Sequence, residues 1–172
     1  MTIEELHAGE TGRAFAAMHA LRPQLAGEDE FVRRVDDHQR SEGYRLVAAV
    51  DGDGSVAAIA GFRVLSMLAF GRVLYLDDLS TLPAARRRGH ARALLDWCIA
   101  EATRLDCDAL HLDSGVGADR QDAHRLYFNG GMRIASFHFV RGLERGPGRL
   151  VTNCSDEGMR DGSGRRSGDP SA

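Results

Sequence analysis

The order of elements in this 172-residue chain predicts an α/β fold built on one mixed sheet. Two observations predict it. Three apolar, β-branched runs, Arg45–Val50, Val56–Met67 and Val73–Thr81, follow one another with only short turns between them, as antiparallel neighbours do. After them the pattern alternates: helix Arg92–Arg104, strand Ala109–Asp113, helix Arg120–Phe128, strand Arg133–Val140. A strand reached through a helical crossover pairs in parallel, so the sheet is mixed.

Each element has its own signal. Ile3–His7 reads as a first strand. Helix Glu10–Leu21 sets Ala14, Phe15, Met18 and Leu21 on one side and ends before Pro23. A second helix over Glu28–Glu42, punctuated by Gly27 and Gly43, has only Phe31, Val32 and Val35 as apolar positions, so most of it should face solvent. Asp51-Gly52-Asp53-Gly54 contains two Asp-Gly steps and predicts a hairpin turn, and Ala69-Phe70-Gly71-Arg72 predicts the next. In helix 92–104, Ala93, Leu94, Trp97, Cys98 and Ala102 form an apolar stripe, which makes Trp97 and Cys98 core residues. From Glu144 onward Gly, Ser, Arg and Asp replace apolar periodicity. The organisation expected is one domain over 1–143 and a mobile tail over 144–172, with no internal repeat.

Composition excludes several function classes. An apolar share of 43% and a charged share of 27% are ordinary for a globule with a single core. A net charge of −3 argues against a general nucleic-acid binder. All 22 basic residues are arginine, so neither a lysine-bearing phosphate loop nor Schiff-base chemistry is available. Cys98, Cys107 and Cys154 are odd in number and lack a C-x-x-C pair, which suits reduced thiols. The acidic start and the absence of any apolar run near the ~18 residues of a membrane span complete the expectation of a cytoplasmic protein without a membrane partner.

The most informative stretch is Val73–Glu101, a strand that passes through Asp77, Asp78 and Pro83 into an arginine-glycine turn and then a helix. Small residues at Gly89 and Ala91 let the backbone curl before a helix whose first amides have no partner. The helix dipole and Arg86, Arg87 and Arg88 add positive charge, so the turn can cradle a pyrophosphate.

Arg86, Gly89 and Ala91 stand at the fixed positions of the (Gln/Arg)-x-x-Gly-x-(Gly/Ala) signature of the GNAT acetyltransferases, which this stretch resembles. Leu79-Ser80-Thr81-Leu82-Pro83 is similar to the family's fourth strand and its proline. Ala123-His124-Arg125-Leu126-Tyr127 is similar to the segment that carries the family's tyrosine. The resemblance covers about Ile3 to Leu143. It implies the GNAT fold, with the sheet splayed between strands 4 and 5 and helices on both faces. It implies acetyl-CoA as co-substrate, held by Leu79, Ser80 and Thr81 on the strand edge and by Arg86, Arg87, Arg88, Gly89, His90, Ala91 and Arg92 at the turn. Arg120 stands where many members have Asn and could reach a phosphate. Met132 stands in place of a usual Phe. His90 is expected to act through its backbone, its ring being incidental.

The implied chemistry is attack by a primary amine on the acetyl group. An amine with pKa near ~10.4 is neutral only about once in several thousand at pH 7, a handicap of roughly 4.6 kcal/mol. A carboxylate that takes its proton, directly or through water, relieves this. Asp77 and Asp78 are the candidates, with Asp78 ahead; as strand neighbours they should face opposite ways unless a bulge intervenes. Tyr127, at the family's tyrosine position, is the implied acid toward the coenzyme A thiolate. Acidic Asp77, Asp78 and Asp113 suit a cationic acceptor, either a small molecule or a peptide or protein amine, and a homodimer is open.

Three other readings compete. The chain could bind acyl-CoA without catalysis, as a sensor or interaction protein. His111, Asp113, Asp122 and His124 do not match a zinc-ligand spacing, so no metal is expected. Ser114 lacks the G-x-S-x-G elbow of a nucleophile, and His138 reads as a satisfied histidine or a wall of the acceptor groove.

Overall fold

The computed structural model describes residues 1–143; the tail expected over 144–172, with Cys154, lies outside the described residues. Met1–His138 forms one compact unit. Its five strands lie in sequence order in one sheet: β1 Thr2–Leu6, β2 Arg45–Val50, β3 Val56–Met67, β4 Gly71–Thr81 and β5 Ala109–Leu112. The first three pairings are antiparallel and β4 pairs with β5 in parallel, the mixed sheet that the element order predicts.

Period-two alternation gives each face of the sheet its own core. Leu46, Ala48 and Val50 of β2, with Leu6 and Ile59, pack against α1 (Phe15–Leu21) and α2 (Glu28–Arg33) through Ala17, Met18 and Phe31. Val47 and Ala49, with Ala58, Ala60, Phe62, Leu74 and Leu76, pack on the other face against Leu94, Leu95 and Cys98 of α3 (His90–Arg104). Trp97 of α3 and Leu126 and Tyr127 of α4 (Gln121–Asn129) pack partly buried on that second core. The predicted helix over Glu28–Glu42 is helical throughout, but it widens over Arg34–Gln39 and tightens over Arg40–Glu42 before Gly43 ends it at φ +84°.

Two features of the sheet create the site. Parallel pairing of β4 with β5 stops at Leu76↔Leu112, while β4 runs on to Thr81. Among the described residues the outer edge of Asp77–Thr81 therefore has no strand partner, the splay expected between strands 4 and 5. Second, Gly61 pairs with Asp78 and Phe62 with Leu76, so Asp77 is the extra residue of a β-bulge.

One predicted element is absent. No strand forms over Arg133–Val140 among the described residues, and Ile134 and Phe137 are exposed. Gly131, at φ +80°, and the bond from Met132 N–H to the Tyr127 carbonyl hold the chain against the end of α4. β-forming side chains without a paired edge do not make a strand.

Candidate active site

β4 delivers the chain through Leu82 and the single turn Pro83–Ala85 to the arginine turn, and α3 starts at His90. Gly89 caps that helix at φ +90°, and Arg87, at φ +61°, is also left-handed. Such a conformation in a non-glycine residue is a strained one held by its surroundings. Ala93 N–H is the first to reach back, to the Gly89 carbonyl, so the amides of His90, Ala91 and Arg92 have no backbone acceptor among the described residues. A Cβ placed on Gly89 would meet nothing within 4 Å, which leaves the mouth of the turn open. Three unpaired amides at the start of a 15-residue helix fit a pyrophosphate. Arg86, Arg87 and Arg88 are exposed; Arg88 pairs with Asp51 at 3.0 Å and Arg87 with Asp122 at 3.5 Å. Arg92 lies on Asp96 at 2.8 Å.

The ring of His90 is not incidental. It is buried, with Nδ1 3.1 Å from the Ala85 carbonyl oxygen and Nε2 2.9 Å from Asp51 Oδ1 in the β2–β3 turn.

At the splay the bulge is the exception under which Asp77 and Asp78 need not face opposite ways. Their partners form one cluster: Tyr44 O–H donates to Asp78 Oδ2 at 3.0 Å, Arg63 Nε to Asp77 Oδ2 at 2.8 Å, and the Arg63 guanidinium sits 5.7 Å above the Tyr44 ring. Arg22, at the end of α1, donates through Nε to Asp78 Oδ1 at 2.9 Å and reaches the Asp77 carbonyl at 3.3 Å. The Asp78 side chain is only 11% exposed and its two oxygens are committed to Arg22 and Tyr44; that of Asp77 is 25% exposed. Burial pushes the Asp77 carboxyl above the usual carboxylate range, Arg63 pulls it back, and the charge of Asp78 adds to the rise. Burial, with the bond to Asp78, pushes the Tyr44 hydroxyl well up, so it stays a donor.

Around Asp77 the sheet carries a polar wall. Tyr75 pairs with Arg63 on one side and His111 on the other, and its hydroxyl donates to Asp113. His138 Nδ1 lies 3.1 Å from the same Asp113 oxygen, and the Phe70 and His111 rings are 4.9 Å apart. Burial, then Asp113, then the charge of Asp77 raise the Tyr75 hydroxyl.

Tyr127 is half-buried on α4 beside Leu126. Its hydroxyl bonds to no group among the described residues. Burial pushes that hydroxyl up, and the nearby Arg120 charge opposes the shift. Arg120 itself lies 3.4 Å from Asp119. The four residues considered as metal ligands are not gathered: His124 Nε2 lies 2.9 Å from the Gly115 carbonyl oxygen, Asp122 is bound by Arg125, and among the described residues no three such side chains converge.

The model of the Acetyltransferase (GNAT) family matches residues 14–130. The chain belongs to the GNAT acetyltransferase family. Solved structures agree at the level of the fold. A transcriptional regulator from Bacillus halodurans C-125 shares 19% identity at a TM-score of 0.70, over 83% of this chain and 99% of that one. A ribosomal-protein-alanine N-acetyltransferase from Brucella melitensis biovar Abortus 2308 shares 17% at 0.71, over 83% and 100%. A glucosamine-6-phosphate N-acetyltransferase from Arabidopsis thaliana shares 16% at 0.62, over 83% and 98%. No curated protein sequence matches the chain.

Within this GNAT framework Leu79, Ser80 and Thr81 lie on the free edge of β4, and Arg86 to Arg92 lie at the turn that follows it. Sequence reading missed Arg22, Tyr44, Gly61 and Arg63, which together fix the two aspartates. A Cβ on Gly61 would stand 1.8 Å from the Tyr44 hydroxyl oxygen, so glycine is what admits the tyrosine over β3. No spacing rule links Arg22 to Asp78, 56 residues apart; an apolar strand interrupted by two acids is a cue only that some cation must meet them.

Proposed function

We propose that this GNAT protein transfers an acetyl group from acetyl-CoA to a primary amine by direct attack. The observation that carries this reading is the pairing of a β4 edge and three amides at the start of α3 that have no backbone partner among the described residues. Leu79 to Thr81 would receive the pantetheine arm as an added strand, and the amides of His90 to Arg92, with Arg86 to Arg88, the pyrophosphate. Bound acetyl-CoA supplies a thioester; this chain's residues supply the proton handling and the polar setting. Backbone N–H groups on the same edge can stabilise negative charge that develops on the acetyl oxygen.

Asp77 is the better proton acceptor of the two acids. Its raised pKa narrows the gap to the amine, whereas Asp78 is occupied as an anchor by Arg22 and Tyr44. Tyr127 would protonate the leaving thiolate, whose conjugate acid resembles Cys at about 8.5. Arg120, near Tyr127, is available to a coenzyme A phosphate. Asp77, Asp113 and the Tyr75 and His111 side chains favour a cationic amine, on a small molecule or a peptide. Cytoplasmic placement fits the free thiols of Cys98 and Cys107. Among the described residues no helix is long and apolar enough to cross a membrane.

The test is a thermal-shift titration with acetyl-CoA followed by thiol-release assays over cationic, neutral and anionic amines. Stabilisation with release, fastest for cationic amines, supports the reading. Stabilisation without release from any amine favours an acyl-CoA-binding sensor, and no stabilisation at millimolar acetyl-CoA refutes both.

A further inference from the structure

We propose that His90 is a positioning residue for the phosphate turn, acting as a doubly protonated imidazolium that ties the turn to the β2–β3 hairpin. The inference rests on the acetyl-CoA reading above and adds a device that holds its site in shape.

The ring is 2% exposed, so neither nitrogen can turn to water instead. Nδ1 faces the Ala85 carbonyl oxygen at 3.1 Å and Nε2 faces Asp51 Oδ1 at 2.9 Å. A carbonyl only accepts, and an ionised carboxylate only accepts. A neutral imidazole has one N–H and would leave its other nitrogen lone pair against an oxygen lone pair. Only a ring with two N–H groups satisfies both neighbours. The bond from His90, with the Arg88 charge beside it, holds the Asp51 carboxyl below the usual range, in keeping with an ionised partner.

The two bonds do different things. Nδ1–H to Ala85 closes the loop across Arg86–Gly89, the segment that contains the left-handed Arg87 and Gly89. Nε2–H to Asp51 fastens that loop to the hairpin, next to the tether from Leu82 N–H to the Ala57 carbonyl. Asp51 also holds Arg88 through Oδ2 at 3.0 Å, so an imidazolium on Oδ1 lets Arg88 turn to an anion at lower cost. The charged groups facing the ring are thus Asp51 and Arg88, with Asp53 in the same hairpin turn as Asp51. When the ring loses a proton, one bond becomes a repulsion and Asp51 keeps Arg88. Affinity for acetyl-CoA then falls as pH rises.

Asp51→Asn separates this role from a merely structural one. An asparagine amide donates to a neutral Nε2 while Nδ1–H still serves Ala85, so the variant holds the turn with either charge state. Dissociation constants for acetyl-CoA are measured by calorimetry between pH about 5 and about 9, a span wide enough to take a histidine from charged to neutral. The wild type should weaken by about tenfold more than Asp51→Asn over that span, the size of one hydrogen bond to a charged group. Isotope-labelled histidine should show both His90 nitrogens protonated in the neutral free wild type. Parallel pH profiles for the two proteins, or a singly protonated ring at neutral pH, would overturn the proposal. A wild type that binds no acetyl-CoA at any pH fails the cofactor reading and the positioning role with it; the ring measurement then still decides the clamp.

Discussion

Replacing Gly89 by Ala and by Glu isolates the anion site from the backbone that shapes it. Gly89 is at φ +90° and its Cβ position is empty, so the cost of any side chain there is conformational rather than steric. Left-handed backbone costs an L residue about 1–2 kcal/mol, and a domain of this size loses about 2–4 °C per kcal/mol. Both variants should therefore melt roughly 2–8 °C below wild type without ligand. Acetyl-CoA at about a hundred times its dissociation constant adds about 2.7 kcal/mol, a rise of roughly 5–11 °C by the same conversion. Gly89→Ala should keep that rise from its lower baseline. Gly89→Glu should lose it, because a carboxylate about 4 Å from a phosphate charge repels it by about 4 kcal/mol near a protein surface. Scanning fluorimetry with and without acetyl-CoA reads all of this. A full ligand-induced rise in Gly89→Glu would refute the placement of a phosphate at this turn.

Tyr127→Phe should lower turnover by about 10²-fold or more, the range for a lost general acid, with the acetyl-CoA thermal shift intact; steady-state rates beside fluorimetry check it, and unchanged turnover removes the tyrosine from the mechanism. The acid limb of kcat/KM should lie above pH 3.9, the ordinary Asp value, because burial raises Asp77, and Arg63→Gln should move it higher by removing the main opposing pull; a limb that stays put in Arg63→Gln, or survives in Asp77→Asn, would discard Asp77 as the base. Glu101 is buried between Arg45 and Arg104, and the bonds from Arg104 first and Arg45 second lower its carboxyl to about 2 from 4.5. A depressed carboxyl stabilises the fold above its unfolded value and loses that contribution as pH falls from about 4.5 to about 2. Urea unfolding of Glu101→Gln should accordingly show a stability deficit at neutral pH that closes across this window; a deficit that does not vary with pH would contradict the assignment.

Much of the fold was legible because its signals are local. Asp-Gly steps fixed the β2–β3 turn, and the helical stripe over Leu94 and Cys98 fixed the buried side of α3. Arg133–Val140 failed for the complementary reason: its side chains suit a strand, but strand formation requires an edge to pair with, and pairing is not a local property. At the site, the arginine turn and the tyrosine helix could be located because their residues are contiguous. The direction of Asp77 could not, since it depends on a one-residue bulge opposite Gly61 and Phe62.

The sequence by itself determined the mixed α/β order, the family and the position of the arginine-glycine turn, all of them written in stretches of a few residues whose hydrogen bonds and φ preferences are satisfied nearby. Tertiary structure alone decided that Asp78 is held by Arg22 and Tyr44 and Asp77 by Arg63, and set the His90 ring between the Ala85 carbonyl and Asp51. The side-chain hydrogen-bond partners of Asp77, Asp78 and His90 are Arg22, Tyr44, Arg63 and Asp51, which lie far from them in sequence and which only folding brings within reach.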